Sequence, residues 1–329
     1  MSEFELIRRY FTRSTPSAEL GIGDDAALLR ISAGMELVIS TDMLVSSTHF
    51  FPDVDPVLLG HKTLAVNLSD LAAMGATPRW ATLALSLPEA DETWLKKFSE
   101  GFFALADLHG VELIGGDTTR GPLNLCVTIL GEVPQRAALR RGGAQIGNDI
   151  WVSGHLGDAA LALVHLQDKV QLSAADFALC APSLHQPMPR LALGIALRGV
   201  ASSAIDISDG LLADLGHILE CSGVGAEITF DALPISNLLK KCLISPEFMQ
   251  KGKAGNVSIF QRCVLAGGDD YELCFTAPIA HRDTIEGLSR RINLPLARIG
   301  AIVKGSGCLV RSADGSIIKM GESGFDHFL

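Results

Sequence analysis

Strand-like and helix-like segments alternate along the chain, and this limits the possible folds more than any other feature. In the first half, strand-like runs at 79–87, 111–115 and 123–132 surround a helical pattern at 92–109. The second half repeats the habit: strand 149–153, helices near 157–167, 173–180 and 189–198, strand 203–207, helix 210–221, strands 225–230 and 271–276, helix 280–291, then short strands. Near the start, 3–12 reads as a short amphipathic helix, and 26–31 and 36–41 read as strands. The best-marked element is "DPVLLGHKTLAVNLSDLAAMGATP": Asp55 before Pro56 is a cap and first turn, and Gly75 and Pro78 are stops, so a helix is predicted over 56–74. The chain, at 329 residues, exceeds one ordinary core and fits two domains. The polar, Gly-rich "RRGGAQIGND" puts their boundary near 147, giving an N-terminal α/β domain over 1–147 and a C-terminal α/β domain over 148–329. Residues 238–262 read as an irregular, mobile insertion.

Charge narrows the function. The formal net charge is −10 and no run of Lys or Arg exceeds two residues, so the footprint expected for nucleic acid or an anionic membrane is missing. No apolar run reaches the length of a membrane span, and acids and arginines interrupt the N-terminal "MSEFELIRRYF", which argues against a signal peptide and for a cytoplasmic protein. The seven cysteines lack paired metal spacing and read as reduced, packed thiols.

Aspartates recur at the ends of apolar strands or beside glycines: Asp24 in "GIGDD", Asp42 in "ISTDML", Asp117 in "LIGGDTTRG", Asp206 and Asp209 in "IDISDG", Asp269 and Asp270 in "GGDDYE". On the 56–74 helix, Thr63, Asn67 and Asp70 fall on one stripe at spacings of four and three. Singly, each acid could cap a helix or hold a turn. Together they could not stay unpaired, because two carboxylates about 4 Å apart repel by roughly 4 kcal/mol at an effective dielectric of about 20. Few bases lie nearby, so hard cations must compensate, and Mg²⁺ suits one or two carboxylates each, completed by phosphate oxygens and water. Arg120, Arg140 and Arg141 could brace phosphates, and Ser40, Thr41 and Ser208 add oxygens beside the acids. In "SAIDISDGLLADL", Asp206 ends a strand and Asp209 opens a helix, whereas Asp214 lies more than a turn into it and reads as a structural or surface residue.

Two phosphate motifs fail. Gly21, Gly23 and Ala26, with Asp42 downstream, fit G-x-G-x-x-A, but no strand precedes them and no helix follows. In "GHKT", His61 separates Gly60 from Lys62 and position 55 is Asp, so there is no P-loop. Zinc spacing and a nucleophile elbow are likewise missing.

The segments "LGIGDDAALL", "ISTDMLV", "KTLAVNLSDLAAMGATP", "IGGDTTRG", "AIDISDGLLADLGHI", "GGDDYEL" and "GFDHF", in order from Gly21 to Phe328, resemble the thiamine-monophosphate kinase family. That family belongs to the superfamily of aminoimidazole ribonucleotide synthetase. The resemblance implies a two-domain, synthetase-like α/β (α+β) fold, with an N-terminal sheet pairing across a homodimer and a C-terminal α/β sandwich. It implies ATP-dependent phosphorylation of thiamine monophosphate to thiamine diphosphate with several Mg²⁺ ions. By motif position, Asp24, Ser40, Thr41, Asp42, Asp70, Asp117, Asp206 and Asp209 match metal ligands. Gly116, Asp117, Arg141 and Ser208 match nucleotide contacts, and His49, Asp269 and Phe325 match contacts to thiamine phosphate. Asp42, Asp209 and Arg141 would carry the catalysis. Asp269 stands where the family usually has Glu, and Phe325 where it usually has Tyr. Two alternatives stay open: another ATP-dependent synthetase of the superfamily, and a catalytically silent Mg²⁺–nucleotide-binding protein. The first cysteine is Cys126 and the chain closes "DHFL", which disfavours the selenide and hydrogenase-maturation relatives.

Overall fold

The computed structural model describes residues 2–242, 257–320 and 324–325. The chain divides into two compact units, one of residues 1–71 and 76–138, the other of 72–75 and 139–329. The Gly-rich junction thus lies inside the second unit.

In the first unit, α1 (Glu3–Tyr10) starts from a capping box in which Ser2 and Glu5 satisfy each other's backbone N–H groups. β1 (Met35–Val45), α2 (Pro56–Ala73), β2 (Thr77–Leu87), α3 (Glu92–His109), β3 (Glu112–Arg120) and β4 (Asn124–Pro134) follow. Asp55 Oδ1 accepts the Val57 N–H at 2.8 Å, the cap its sequence implies. The sheet order is β1-β4-β2-β3, and only β2 and β3 run parallel, as a helical crossover through α3 requires. α2 and α3 meet backbone to backbone. A Cβ on Gly60 would strike the Phe98 carbonyl, and one on Gly101 the Val57 carbonyl. Leu64, Leu68, Phe98, Phe102, Leu83 and Val127 are buried, each contributing about 1.5–3 kcal/mol relative to exposure. The other face of β1 is open: Leu37, Ile39 and Met43 are 38%, 56% and 52% exposed.

The strand predicted at 26–31 does not form. Leu20 and Leu28 make a single bridge, and the glycines of "GIGDD" turn the chain before a ladder can extend.

The second unit carries β5 (Asp149–Ser153), α4 (Asp158–Leu166), α5 (Ala174–His185), α6 (Leu191–Ala196), β6 (Ser203–Asp206), α7 (Leu211–Ser222), β7 (Gly225–Thr229) and α8 (Asn237–Cys242). Then come α9 (Ile259–Ala266), β8 (Leu273–Ala277), α10 (Arg282–Ile292), β9 (Leu296–Val303), β10 (Gly307–Arg311) and β11 (Ile317–Ile318). Its mixed seven-stranded sheet has the order β11-β10-β7-β9-β5-β8-β6. Ile150, Val152, Ile205, Ile228 and Cys274 share one buried core with Leu161, Leu184, Leu215 and Phe260 from the helices. Trp151, of opposite parity to Ile150 and Val152, stacks on Phe275 at 6.4 Å. Within the stretch expected to be irregular, 238–242 belongs to α8 and 259–262 to α9, and the part over 243–256 lies outside the described residues. No helix among the described residues is long and apolar enough to cross a membrane.

Candidate active site

In the first unit the polar stripe of α2 faces β1. Asn67 Oδ1 accepts the Asp42 N–H at 3.1 Å, and Asp70 Oδ2 accepts the Ser40 hydroxyl at 2.5 Å. Asn67 Nδ2 in turn donates to the Thr63 carbonyl at 3.1 Å, and the Thr63 hydroxyl to the Leu59 carbonyl at 2.7 Å. The spacing of four and three thus brings Ser40, Asp42, Asn67 and Asp70 together. Thr41 does not join them through its side chain. Strand alternation turns its hydroxyl to the open face of the sheet, where it pairs with the Thr128 hydroxyl at 2.9 Å.

Asp117 is also displaced from that group. In register it lines up with Ala84, Cys126 and Met43, on the side of Thr41 rather than Asp42, with β3 and β1 at opposite edges of the sheet. Beside it Gly116 has φ 150°, and a Cβ there would strike the Leu83 carbonyl, so the position admits only glycine. Asp24 is exposed in the loop before β1, and its Oδ1 accepts the Asp25 N–H at 2.9 Å. His49, in the turn after β1, accepts the Val45 N–H on Nδ1 at 2.9 Å, which puts the proton of the neutral ring on Nε2.

In the second unit two loops cross. One is 206–210, between β6 and α7, and the other is the "GGDDYE" loop before β8. The Asp269 N–H donates to the Ser208 carbonyl, the Tyr271 N–H to the Ile207 carbonyl and the Ile207 N–H to the Glu272 carbonyl, all at 2.8 Å. The Phe325 N–H donates to the Asp209 carbonyl at 3.1 Å. Asp206, Ser208, Asp209, Asp269 and Phe325 are therefore neighbours along one backbone network. Asp269 and Tyr271 hold left-handed φ values of 68° and 48°, a conformation that needs support from its surroundings. The Tyr271 hydroxyl donates to Asp269 Oδ1 at 3.1 Å. Arg141 is exposed, and its carbonyl accepts the Ser222 hydroxyl at 3.4 Å.

Three acids, Glu272 and Asp214 buried and Asp270 partly so, support these loops, and sequence reasoning missed their role. Asp270 accepts the Gly157 N–H on both oxygens at 3.0 Å, and burial holds its carboxyl well above the usual range. Glu272 accepts Arg190 Nε at 2.6 Å, Arg190 Nη2, and the Ser153 hydroxyl at 2.5 Å. Asp214 is not a surface residue. It lies in the first turn of α7, is buried, and accepts the N–H groups of Ser208, Asp209 and Gly210 at 3.0, 3.1 and 3.1 Å. Burial and the neighbouring Asp209 push its carboxyl up to about 7, against the three N–H groups that favour the ion. An acid four residues after the glycine that opens the helix was the available signal.

A hollow of about 460 Å³ in the same unit, lined by His155, Phe230, Asp231, Lys240 and Phe260 among others, contains none of these residues. Among the described residues no three His, Cys, Asp or Glu side chains form a metal cage. Oxygen donors instead lie in ones and twos beside hydroxyl and amide groups.

Residues 23–133 match the family described as AIR synthase related protein, N-terminal domain. The thiamine-monophosphate kinase of Salmonella typhimurium (strain LT2) is 46% identical over 330 residues, covering 99% of this chain and 98% of its own. The chain belongs to the thiamine-monophosphate kinase family. Its fold follows suit: the crystal structure of thiamine-monophosphate kinase from Stenotrophomonas maltophilia K279a matches with a TM-score of 0.82 at 49% identity, covering 96% of each chain. A second thiamine-monophosphate kinase family structure, of AaThiL complexed with AMPPCP and TMP, matches with a TM-score of 0.75 at 30% identity, covering 91% of this chain and 89% of that one.

Proposed function

We propose that this chain, as a cytoplasmic homodimer, transfers the γ-phosphoryl group of ATP to the phosphate of thiamine monophosphate, giving thiamine diphosphate and ADP. Family membership over the whole chain supports the substrate pair. The observation that carries the reading is the gathering of Asp206, Ser208, Asp209 and Asp269 on two crossed loops, with the Phe325 N–H donating to the Asp209 carbonyl. One loop bears residues that match the family's metal and nucleotide contacts. The other bears Asp269, which matches a contact to the thiamine phosphate.

The donor set fits Mg²⁺, a hard cation that takes carboxylate and hydroxyl oxygens and rarely needs an all-protein cage. Asp24, Ser40, Asp42, Asp70 and Asp117 in the first unit, and Asp206 and Asp209 in the second, would hold several such ions, with Thr41 entering only through its main chain. Bound there, Mg²⁺ would neutralise charge on the phosphate oxygens. The chain's own groups would bind and orient. Gly116 and Asp117 meet the nucleotide where a side chain at 116 would be excluded. Arg141 and Ser208 brace its phosphates, and His49, Asp269 and Phe325 position the thiamine phosphate. The attacking oxygen belongs to a phosphate monoester with a second pKa near 6, mostly dianionic at neutral pH, so no side chain need remove a proton. That oxygen forms a bond to the γ-phosphorus as the bond to the β–γ bridging oxygen breaks, and the electron pair departs with ADP. The exposed Leu37, Ile39 and Met43 on β1 are the apolar face that a second copy would cover.

Acid quenching during turnover of γ-labelled ATP tests the direct route: label passes to thiamine diphosphate with none on the protein. A labelled protein that donates to thiamine monophosphate contradicts it. Sedimentation of a dimer that Ile39→Asp converts to monomer tests the interface.

A further inference from the structure

The N-terminus of a helix offers N–H groups that ordinarily bind an anion such as a phosphate. At α7 those groups are already used. The N–H groups of Ser208, Asp209 and Gly210 all converge on Asp214 Oδ2, at 3.0, 3.1 and 3.1 Å, and Asp214 is only 3% exposed. The turn's carbonyls are used as well: Ser208 O accepts the Asp269 N–H and Asp209 O accepts the Phe325 N–H. Gly210, with φ 123°, packs where a Cβ would meet the backbone of Ala266, so the turn cannot relax on that side. A ligand that approaches this turn therefore meets side chains, Ser208 and Asp209 among them, rather than main-chain N–H groups.

We infer that Asp214 is a positioning residue: it fills the anion hole at the start of α7 with the protein's own carboxylate, and so fixes the turn that aims Ser208 and Asp209. Phosphate at this loop is then held through side chains and cations rather than through helix amides. Left vacant, those N–H groups would draw a phosphate oxygen to the turn, directly beside the Asp209 carboxylate. The inference rests on the reading of Asp209 as a metal ligand, but its test does not need turnover.

Asp214→Asn retains an acceptor oxygen, and Asp214→Ala removes it. The readouts are amide hydrogen exchange at 208–210, Mn²⁺ binding in the presence of a non-hydrolysable ATP analogue, followed by electron paramagnetic resonance, and kcat. In Asp214→Asn, exchange and Mn²⁺ affinity should stay within about threefold of native. In Asp214→Ala, exchange should quicken and Mn²⁺ affinity and kcat fall together by about tenfold or more, the scale of buried N–H groups left without their acceptor. If Asp214→Ala does not fold, Asp214→Glu, which moves the acceptor by one methylene, is read in the same way. A folded variant in which exchange quickens while Mn²⁺ affinity and kcat stay native would show a purely structural role and overturn the inference. Native protein that binds Mn²⁺ and nucleotide but does not phosphorylate thiamine monophosphate would refute the proposed activity and leave Asp214 testable by the first two readouts.

Discussion

Removing Arg190 should expose how much the "GGDDYE" loop depends on a single ion pair. The Glu272 side chain is 4% exposed and that of Arg190 27%; the guanidinium meets both carboxylate oxygens, and Ser153 supplies a third donor. Arg190→Met keeps most of the apolar stem and deletes the charge. Glu272 is then left as a buried carboxylate held by one hydroxyl. Breaking a buried pair from one side costs about 3–5 kcal/mol, and the partial exposure of Arg190 places this case near 3. For a unit of this size, about 2–4 °C per kcal/mol gives a fall in melting temperature of roughly 6–12 °C. The double variant Arg190→Met with Glu272→Gln removes the stranded charge while keeping an acceptor for Ser153, and should return to within about 1.5 kcal/mol of native. Urea and thermal unfolding followed by circular dichroism read both. A single variant melting within 2 °C of native, or a double variant less stable than the single, would refute the argument that Glu272 depends on Arg190.

Two further outcomes follow from the same geometry. The Asp214 carboxyl titrates near 7 when folded and near 3.8 when unfolded, so the folded state holds the extra proton between those values and stability falls as pH rises through that window. A difference of roughly three pH units corresponds to about 4 kcal/mol, so unfolding measured from pH 4 to 8 should show a steeper loss in the native chain than in Asp214→Asn; parallel curves would contradict it. Gly116→Ala should cost about 1–3 kcal/mol and weaken nucleotide binding, because its Cβ meets the Leu83 carbonyl at a φ of 150°; native calorimetric binding would contradict it.

Much of the fold was legible because its signals are local. Asp55-Pro56 and Gly75 mark α2, and the spacing of Thr63, Asn67 and Asp70 indicates which side meets a polar strand. β3 outran its expected end at 115 because a register shift opposite Ala81 and Thr82 lets Gly115 and Gly116 continue the ladder, a pairing set by the neighbouring strand rather than by its own residues. For Asp214 the structure favours the structural over the surface reading: a helix begun at Leu211 rather than 210 puts it in the first turn, beneath the amides. Thr41 shows the opposite limit. It matches a motif position beside Ser40 and Asp42, yet strand alternation sends its hydroxyl to the other face, a distinction that sequence order alone does not make. Arg190 and Glu272, 82 positions apart, had no local signal at all.

The proposed activity is a Mg²⁺-dependent phosphoryl transfer to thiamine monophosphate that needs Asp42 and Asp209. A coupled assay of ADP release answers it most directly, run with ATP, Mg²⁺ and thiamine monophosphate on the native chain, Asp42→Asn and Asp209→Asn. The account predicts ADP formation that requires both thiamine monophosphate and Mg²⁺, and a loss of about a hundredfold or more in each folded variant, the scale for removing a group that stabilises transferring charge. Turnover at native rates by both variants, or no ADP on adding thiamine monophosphate to the native chain, would contradict it.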